Sequence, residues 1–208
     1  GAHRDLHSFP TRRSSDLIRC RSYLFSPDHT DAFFQDKLHL TPTETKLGIQ
    51  AGDEMHILDL KIGRAALLAG MDAAFCECYK VARGLGAQIV LSPSSLREEN
   101  SYTARYNASL IAAQQYSLYT ARASFVSSEV SGASGVYAPQ LLTRNLDGII
   151  VHTNEAGEES QVLCARIDPP KLIDNVDVYA SSTNPDFSQV LASEIYPAYL
   201  RSLAPEDK

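Results

Sequence analysis

The sequence lacks any long apolar run. No uninterrupted hydrophobic segment among its 208 residues approaches the roughly 18 residues that a bilayer-spanning helix needs. A charged start followed by a short apolar stretch, the pattern of a secretory signal peptide, is also missing. We therefore expect no membrane partner, and a leader encoded upstream of this stretch stays an open alternative.

Cysteines and basic residues are also few. The four cysteines lack the regular spacing of a small disulfide-bonded secreted domain, so we interpret them as reduced thiols and expect a cytoplasmic protein. Lys and Arg number 19 against 25 Asp and Glu, which gives a net charge of -6. Nucleic-acid binding needs clustered cations, so we do not expect nucleic acid as a partner. The cysteines are Cys20, Cys76, Cys78 and Cys164.

The first residues do not read like the rest of the chain. The segment from His7 to Leu17, HSFPTRRSSDL, resembles the translation of a sequencing-adapter oligonucleotide. We interpret residues 1–17 as a non-native, adapter-derived segment and residues 18–208 as one domain. The alternative is a native, disordered Ser/Arg-rich terminus. In neither case do we assign it a function.

The remaining chain alternates strand and helix patterns, which predicts an α/β fold. Residues 26–29 predict a hairpin turn, because Pro and Asp favour a turn between β-prone runs. Gln88–Leu91 is a short apolar run that suits a strand buried on both faces. The other predicted elements are strand pairs 55–60 with 64–69 and 148–152 with 161–167, a strand over 118–126, and helices over 73–85, 101–115 and 186–202.

Local signals predict where these elements end. Asp72 is placed to cap the helix over 73–85, and Gly84 or Gly86 is placed to end it. Ser92–Ser95 predicts a loop after the apolar strand, and residues 129–135 predict another. Pro197 is expected to interrupt the last helix.

Residues 35–77 carry the most informative pattern. The segment Gln35–Glu44 reads QDKLHLTPTE, and an apolar strand, Ala65–Ala69, is followed by Gly70-Met71-Asp72 and then Phe75-Cys76-Glu77. This resembles the nitrilase, or carbon-nitrogen hydrolase, superfamily. There, a lysine in a K-x-H-L-type segment precedes a strand that ends in a nucleophilic cysteine, usually read as C-Y-D and then F-P-E. Gly70 stands at that cysteine position here.

The resemblance extends from about residue 21 to residue 167. Tyr23–Asp28 is similar to the strand before the family lysine, and Gly86–Pro93 resembles the G-A-x-x-x-x-x-P strand after the nucleophile helix. Gly132-Ala133-Ser134 with Pro139 is similar to a G-x-S-x-x-x-x-P region, although Leu141 replaces a glycine often found there. The resemblance implies part of a four-layer α-β-β-α sandwich that pairs sheet to sheet in a homodimer.

The resemblance also implies a chemistry of three groups. A cysteine attacks a nitrile or amide carbon, a glutamate acts as general base and acid, and a lysine stabilises the oxyanion. Lys37 matches the lysine and Glu44 a second glutamate that the family often keeps. The first glutamate would lie upstream of residue 18, in an N-terminally truncated part. No thiolate can form at Gly70.

Two functional hypotheses follow. The first is a hydrolytically inactive homologue that binds a small amide- or carboxylate-containing molecule, with Lys37, Glu44 and Gly70 at the former catalytic positions. The Met71 amide and Asp72 are its candidate binding groups. The second is an active amidase-type hydrolase in which residue 70 is misread.

Each candidate also has a structural interpretation. Lys37 is otherwise a solvated charge at a strand end, Glu44 a partner of Lys46, and His39 and Ser134 are structural. Cys76 and Cys78 fall inside the predicted helix, away from the nucleophile turn. Their C-x-C pair lacks a second pair and a convincing histidine partner, so we expect no zinc and no cofactor.

Overall fold

A computed structural model of the chain describes residues 17–27, 31–95, 108–126, 134–153, 160–172 and 185–202. Chain contacts divide it into two units, residues 1–172 and residues 173–208. The strands are β1 (Arg21–Leu24), β2 (Phe33–Asp36), β3 (Leu58–Leu60), β4 (Gly63–Leu67), β5 (Ile89–Ser94), β6 (Tyr119–Ser124), β7 (Gly135–Tyr137) and β8 (Ile149–His152). The α-helices are α1 (Pro42–Lys46), α2 (Cys76–Gly84), α3 (Ile111–Tyr116), α4 (Pro185–Val190) and α5 (Tyr196–Ser202), with 3-10 turns at Gly70–Ala74, Gln140–Leu142 and Pro169–Lys171 and a π-helical segment at Leu191–Ile195.

A six-stranded sheet organises the first unit. Its strand order is β3-β4-β5-β6-β7-β8, and β4, β5 and β6 run parallel while the outer pairs are antiparallel. Strands β1 and β2 form a separate antiparallel ribbon. Because β4, β5 and β6 are parallel, their carboxyl ends meet at one edge of the sheet, where α/β proteins usually place their sites. The 3-10 turn that begins at Gly70 follows β4 at this edge.

Helices α2 and α3 cover one face of the sheet. Leu68 and Val90 from the strands pack there with Tyr79 of α2 and with Leu118, and all four are at most 1% exposed. Alanines between them, such as Ala82, let the helices lie close to the strands. A second buried cluster on the strands includes Ile89, Tyr119 and Leu172.

These layers confirm the α/β class, and the described residues form a helix layer on a sheet layer, two of the four layers of an α-β-β-α sandwich. The predicted hairpin is confirmed, with Tyr23 opposite Phe34, while residues 28–30 of its turn lie outside the described residues. The pairing of 55–60 with 64–69 is confirmed over the shorter β3 and β4. So are the doubly buried strand β5 and the strand β6. The helix over 101–115 is seen from residue 108 onward, and its first part lies outside the described residues.

The prediction that Asp72 caps a helix starting at residue 73 was wrong. Residues 70–74 form a 3-10 turn, Phe75 is extended with φ -100° and ψ 121°, and α2 starts at Cys76 with Phe75 as its N-cap. The Asp72 carboxylate is engaged elsewhere, by backbone amides of residues 38 and 39. A capping side chain must bond the first turn of its own helix, so this long-range use excludes the cap.

Three other boundaries also differ from prediction. The loop predicted at Ser92–Ser95 is instead the end of β5, because residues 92–94 pair with residues 122–124 of β6. Pro93 is tolerated there since it lies beyond the last residue that β4 pairs with. Residues 161–167 contain no strand, and β8 pairs with β7, which begins at Gly135 in the predicted loop. Residues 129–133 of that loop lie outside the described residues.

Pro197 does not interrupt the C-terminal helical segment. That segment continues from α4 through π-helical residues 191–195 into α5, where Pro197 is the second residue. A proline cannot donate its backbone hydrogen bond, and its ring crowds the carbonyl four residues earlier, at Ser193. A wider π turn relieves that crowding, which is consistent with its position immediately before Pro197. Within the described ranges, no helix is both long and apolar enough to cross a membrane.

The buried face under α2 should carry much of the stability of the first unit. Replacing Leu118, which is 0% exposed, by alanine should lower the free energy of unfolding by about 2–5 kcal/mol, because a cavity is left in a packed core. Leu85→Ala is the matched control, because Leu85 is 46% exposed. It should lower the free energy of unfolding by less than about 1 kcal/mol. Urea unfolding of both variants measures the difference. Equal losses would contradict the assigned core.

Candidate active site

Lys37 is buried directly after β2. Its backbone amide donates to the carbonyl of Cys20 at 2.8 Å, and its carbonyl accepts from the amide of Gly52 at 2.8 Å. Its side chain is 7% exposed, and Nζ lies 2.7 Å from both carboxylate oxygens of Glu44. A solvated strand-end charge would be exposed, so the structure excludes that interpretation of Lys37.

Glu44 reaches Lys37 because the first turn of α1 folds its side chain back toward the helix start. Thr41 is the N-cap, and its amide and hydroxyl donate to Glu44 Oε2 at 2.7 and 2.9 Å. The Glu44 amide donates to the Thr41 hydroxyl in return, which completes a capping box. Its carboxylate therefore pairs with Lys37 and not with Lys46, the alternative partner that the sequence analysis considered.

The surroundings of Glu44 favour its charged form. Burial alone would raise the pKa of the carboxyl, but the hydrogen bond from Lys37 and those from Thr41 together hold the pKa below its ordinary value. The site thus carries an ammonium and a carboxylate that neutralise each other at neutral pH.

Gly70 lies next to Lys37. It begins the 3-10 turn after β4 with φ +55°, a left-handed conformation that glycine adopts most readily. A Cβ placed on Gly70 would lie 3.7 Å from Lys37 Nζ and 3.8 Å from its Cε, which are ordinary van der Waals distances. A side chain at position 70 would therefore meet the lysine ammonium.

Asp72 connects the Lys37 segment to the Gly70 turn. It is 0% exposed, and its carboxylate accepts from the amide of Leu38 at 3.0 Å and from the amide of His39 at 2.6 Å. These bonds hold the residues after Lys37 against the turn that carries Gly70. The predicted contact of Asp72 with a substrate would require its carboxylate to leave these amides. The Met71 amide, in the same turn, stays a predicted binding group. The sequence signal for this tie is an acid two residues after Gly70, and the sequence analysis assigned that acid to a helix cap instead.

His39 and Cys78 lie behind the same turn. His39 Nδ1 is 3.2 Å from Asp72 Oδ1 and 3.5 Å from Cys78 Sγ, and the imidazole stacks on Phe75 at 4.1 Å between ring centroids. The interpretation of the C-x-C pair as lacking a histidine partner is thus corrected, because the fold brings His39 from a distant segment. Burial, and next the charge of Asp72, raise the pKa of the Cys78 thiol to about 12. A protonated thiol is a poor nucleophile.

Cys76 and Ser134 are not part of this constellation. Cys76 is exposed, and its thiol contacts the Glu77 carboxylate at 3.7 Å. Ser134 accepts from the Ser124 amide at 2.9 Å and donates its own amide to the Thr153 hydroxyl at 3.2 Å. It connects β6 with the end of β8, which agrees with its structural interpretation.

Comparison with solved structures identifies the fold. A carbon-nitrogen hydrolase from Helicobacter pylori G27 matches with a TM-score of 0.69 at 17% identity, over 88% of this chain and 68% of that one. Saccharomyces cerevisiae Nit3, a member of branch 10 of the nitrilase superfamily, gives 0.57 at 20% identity, over 68% and 51%. An amidase of the nitrilase superfamily from Nesterenkonia AN1 gives 0.59 at 20% identity, over 78% and 61%. This chain has the carbon-nitrogen hydrolase fold.

Sequence comparison agrees with that fold. A probable hydrolase of Bacillus subtilis strain 168, YhcX, is 32% identical over 142 residues, which cover 64% of this chain. The match spans 28% of that relative's length. No model of a known protein family matches the chain. The solved structures therefore confirm the fold that the resemblance of residues 35–77 implied.

The Lys37–Glu44 pair predicts a pH-dependent contribution to stability. Because the folded pKa of Glu44 is lowered, its contribution is complete above the unfolded-state pKa near 4.5 and is lost as the pH falls through the folded value. Glu44→Gln should therefore unfold more easily than wild type at neutral pH, with the gap closing below about pH 4.5. Chemical unfolding at several pH values measures it. Glu54→Gln, at a side chain 77% exposed, should show no such gap.

The tie made by Asp72 should be costly to remove. Asp72→Asn exchanges one buried carboxylate oxygen for an NH2 group that faces backbone donors, so we expect a loss of about 3 kcal/mol in unfolding free energy. Urea unfolding measures the loss. Asp59→Asn, at a side chain 81% exposed, is the matched control and should change stability by under about 0.5 kcal/mol. An unchanged unfolding free energy in Asp72→Asn would contradict a stabilising role for these hydrogen bonds.

Proposed function

We propose that this protein is a carbon-nitrogen hydrolase homologue that binds a small amide- or carboxylate-containing molecule beside Lys37 without hydrolysing it. The observation that carries the proposal is the glycine whose Cβ position faces the Lys37 ammonium at 3.7 Å. Covalent hydrolysis of a C–N bond by this family's route begins with a nucleophile at that position, and a hydrogen atom cannot supply one. The lysine remains available to a carbonyl or carboxylate oxygen.

The charge arrangement supports binding of such an oxygen. An ammonium has three N–H donors, and in the described residues Glu44 takes two of them with its two oxygens. A third donor on a buried, fixed cation would make a charge-assisted hydrogen bond with a ligand oxygen. The removal of the nucleophile's side chain also leaves room for the ligand near this donor.

The two cysteines of α2 offer no replacement nucleophile. The Cys78 thiol stays protonated at neutral pH, because burial and Asp72 raise its pKa to about 12. Cys76 is exposed on α2, and its contact is Glu77 rather than Lys37 or Glu44. A nucleophile must lie within hydrogen-bond reach of its base, so neither cysteine supports hydrolysis.

The relatives suggest a class of ligand. One mutant of the Nesterenkonia amidase has been solved with the acetamide moiety of fluoroacetamide added at its active site cysteine, and another mutant in complex with butyramide. A short amide is therefore the ligand to test first. We further propose a homodimer formed sheet to sheet.

An active amidase in which residue 70 is a misread cysteine is the second candidate. The surroundings of the Gly70 Cβ position favour it, because the nearest atoms of Lys37, at 3.7 and 3.8 Å, would not clash with a Cβ. The positive φ of a strand-to-helix turn is also where hydrolases hold exposed nucleophiles. Sequencing the source DNA decides between the candidates: a cysteine codon supports the enzyme, and a glycine codon retires it.

Butyramide and fluoroacetamide test the binding proposal. Wild type should bind butyramide by ligand-observed NMR, release no ammonia, and gain no mass on exposure to fluoroacetamide. The double variant Lys37→Met/Glu44→Gln, which leaves no unpaired buried charge, should bind at least tenfold more weakly. Turnover by wild type that this double variant abolishes would overturn the proposal.

Gly70→Cys should create a reactive thiol. The neighbouring Lys37 ammonium should lower the new thiol's pKa below about 8.5, so alkylation by iodoacetamide should be faster than at an ordinary cysteine and persist to lower pH. Gly84→Cys is the matched control, because a Cβ there has no neighbour within 4 Å. Intact-mass kinetics over a pH series measure both. Equal rates would place residue 70 away from the lysine.

A further inference from the structure

Three potential metal ligands meet behind the Gly70 turn. His39 Nδ1, Asp72 Oδ1 and Cys78 Sγ all lie within 4.8 Å of one another, and the histidine nitrogen is 3.2 Å from the oxygen and 3.5 Å from the sulfur. Asp72 is 0% and Cys78 3% exposed, while the His39 side chain is 32% exposed. Two ligands of the cluster are thus buried, and the third, His39, is accessible to solvent.

The two separations from the histidine nitrogen match those of ligands around one tetrahedral ion. With bonds of about 2.0–2.1 Å to nitrogen and oxygen and about 2.3 Å to sulfur, tetrahedral geometry puts nitrogen about 3.3 Å from oxygen and about 3.5 Å from sulfur. We propose that His39, Asp72 and Cys78 bind a single zinc-class divalent ion, with the fourth position open. The proposal is independent of amide binding at Lys37, because it uses none of the same donor atoms.

Contacts around the three ligands hold them in this geometry. Stacking on Phe75, with ring planes 20° apart, fixes the imidazole plane. Glu77 Oε1 lies 3.8 Å from His39 Nε2, on the side of the ring away from Asp72, where it would support the second ring nitrogen once Nδ1 binds an ion. The amides of Leu38 and His39 hold the Asp72 carboxylate in place. A carboxylate beside the second nitrogen of a histidine is the usual support of a metal ligand.

Binding must release one proton. The free cluster holds a Cys78 S–H, and the ion binds the thiolate, so an S–H bond breaks, a metal–sulfur bond forms and the proton leaves to solvent. A hydrogen-bonded network without an ion would also bring these atoms together, and it is the alternative that the experiment must separate.

Cobalt(II) titration of the purified, chelator-treated full chain tests the site. We expect one equivalent of Co2+ to produce a thiolate-to-cobalt charge-transfer band in the near ultraviolet, and stoichiometric Zn2+ to remove it. Cys78→Ala should abolish the band and His39→Gln should weaken binding at least tenfold. Glu77→Gln should weaken it about tenfold, as loss of a supporting carboxylate does.

Exposed cysteines supply matched controls. Cys76→Ala, two residues from Cys78, and Cys164→Ala should both keep the band, since those thiols are exposed and outside the cluster. Circular dichroism checks that each variant is folded, and the partly exposed His39→Gln still decides the question if Cys78→Ala does not fold. The absence of a band in wild type, an unchanged band in Cys78→Ala or His39→Gln, or its loss in Cys76→Ala would overturn the proposal.

Discussion

The pair of hydrogen bonds from the Leu38 and His39 amides to the Asp72 carboxylate determines the geometry of everything near the turn. Lys37 belongs to the segment after β2, whereas Gly70 follows β4, and these strands belong to different sheets. A buried carboxylate that accepts hydrogen bonds from two backbone amides fixes the position of one segment relative to the other. The packing of Leu38 on the core under α2 and the stacking of His39 on Phe75 reinforce this tie. One residue thereby fixes both the candidate ligand site and the cluster behind it.

A second constraint acts on the lysine from its other side. The capping box of α1 turns Glu44 back toward the start of its helix, so local helix chemistry also orients the acid that pairs with Lys37. The Glu44 carboxylate therefore both caps α1 and binds the Lys37 ammonium. A carboxylate engaged by three donors has few alternative rotamers, and its cation is held correspondingly well.

The sequence predicted elements that depend on local pattern and missed those that depend on distant contacts. The apolar run of β5 and the Pro/Asp turn before β2 can be predicted from residues adjacent in sequence. The placement of Lys37 and Gly70 in one site came instead from the family resemblance. The use of Asp72 was not readable, since a helix cap and a long-range tie need the same residue type. The same holds for His39 beside Cys78, which no sequence spacing indicates. The partner of strand β8 was predicted wrongly for a related reason, because β7 begins in a glycine-containing segment that reads as a loop.

The backbone at residue 70 also limits which residues can occupy it. With φ at +55°, this position favours glycine over a typical residue that carries a Cβ, by about 1–2 kcal/mol. Any side chain placed there, reactive or not, would be held in a strained turn. Selection for stability alone would therefore retain glycine, and a side chain would persist only where a function compensated for the strain.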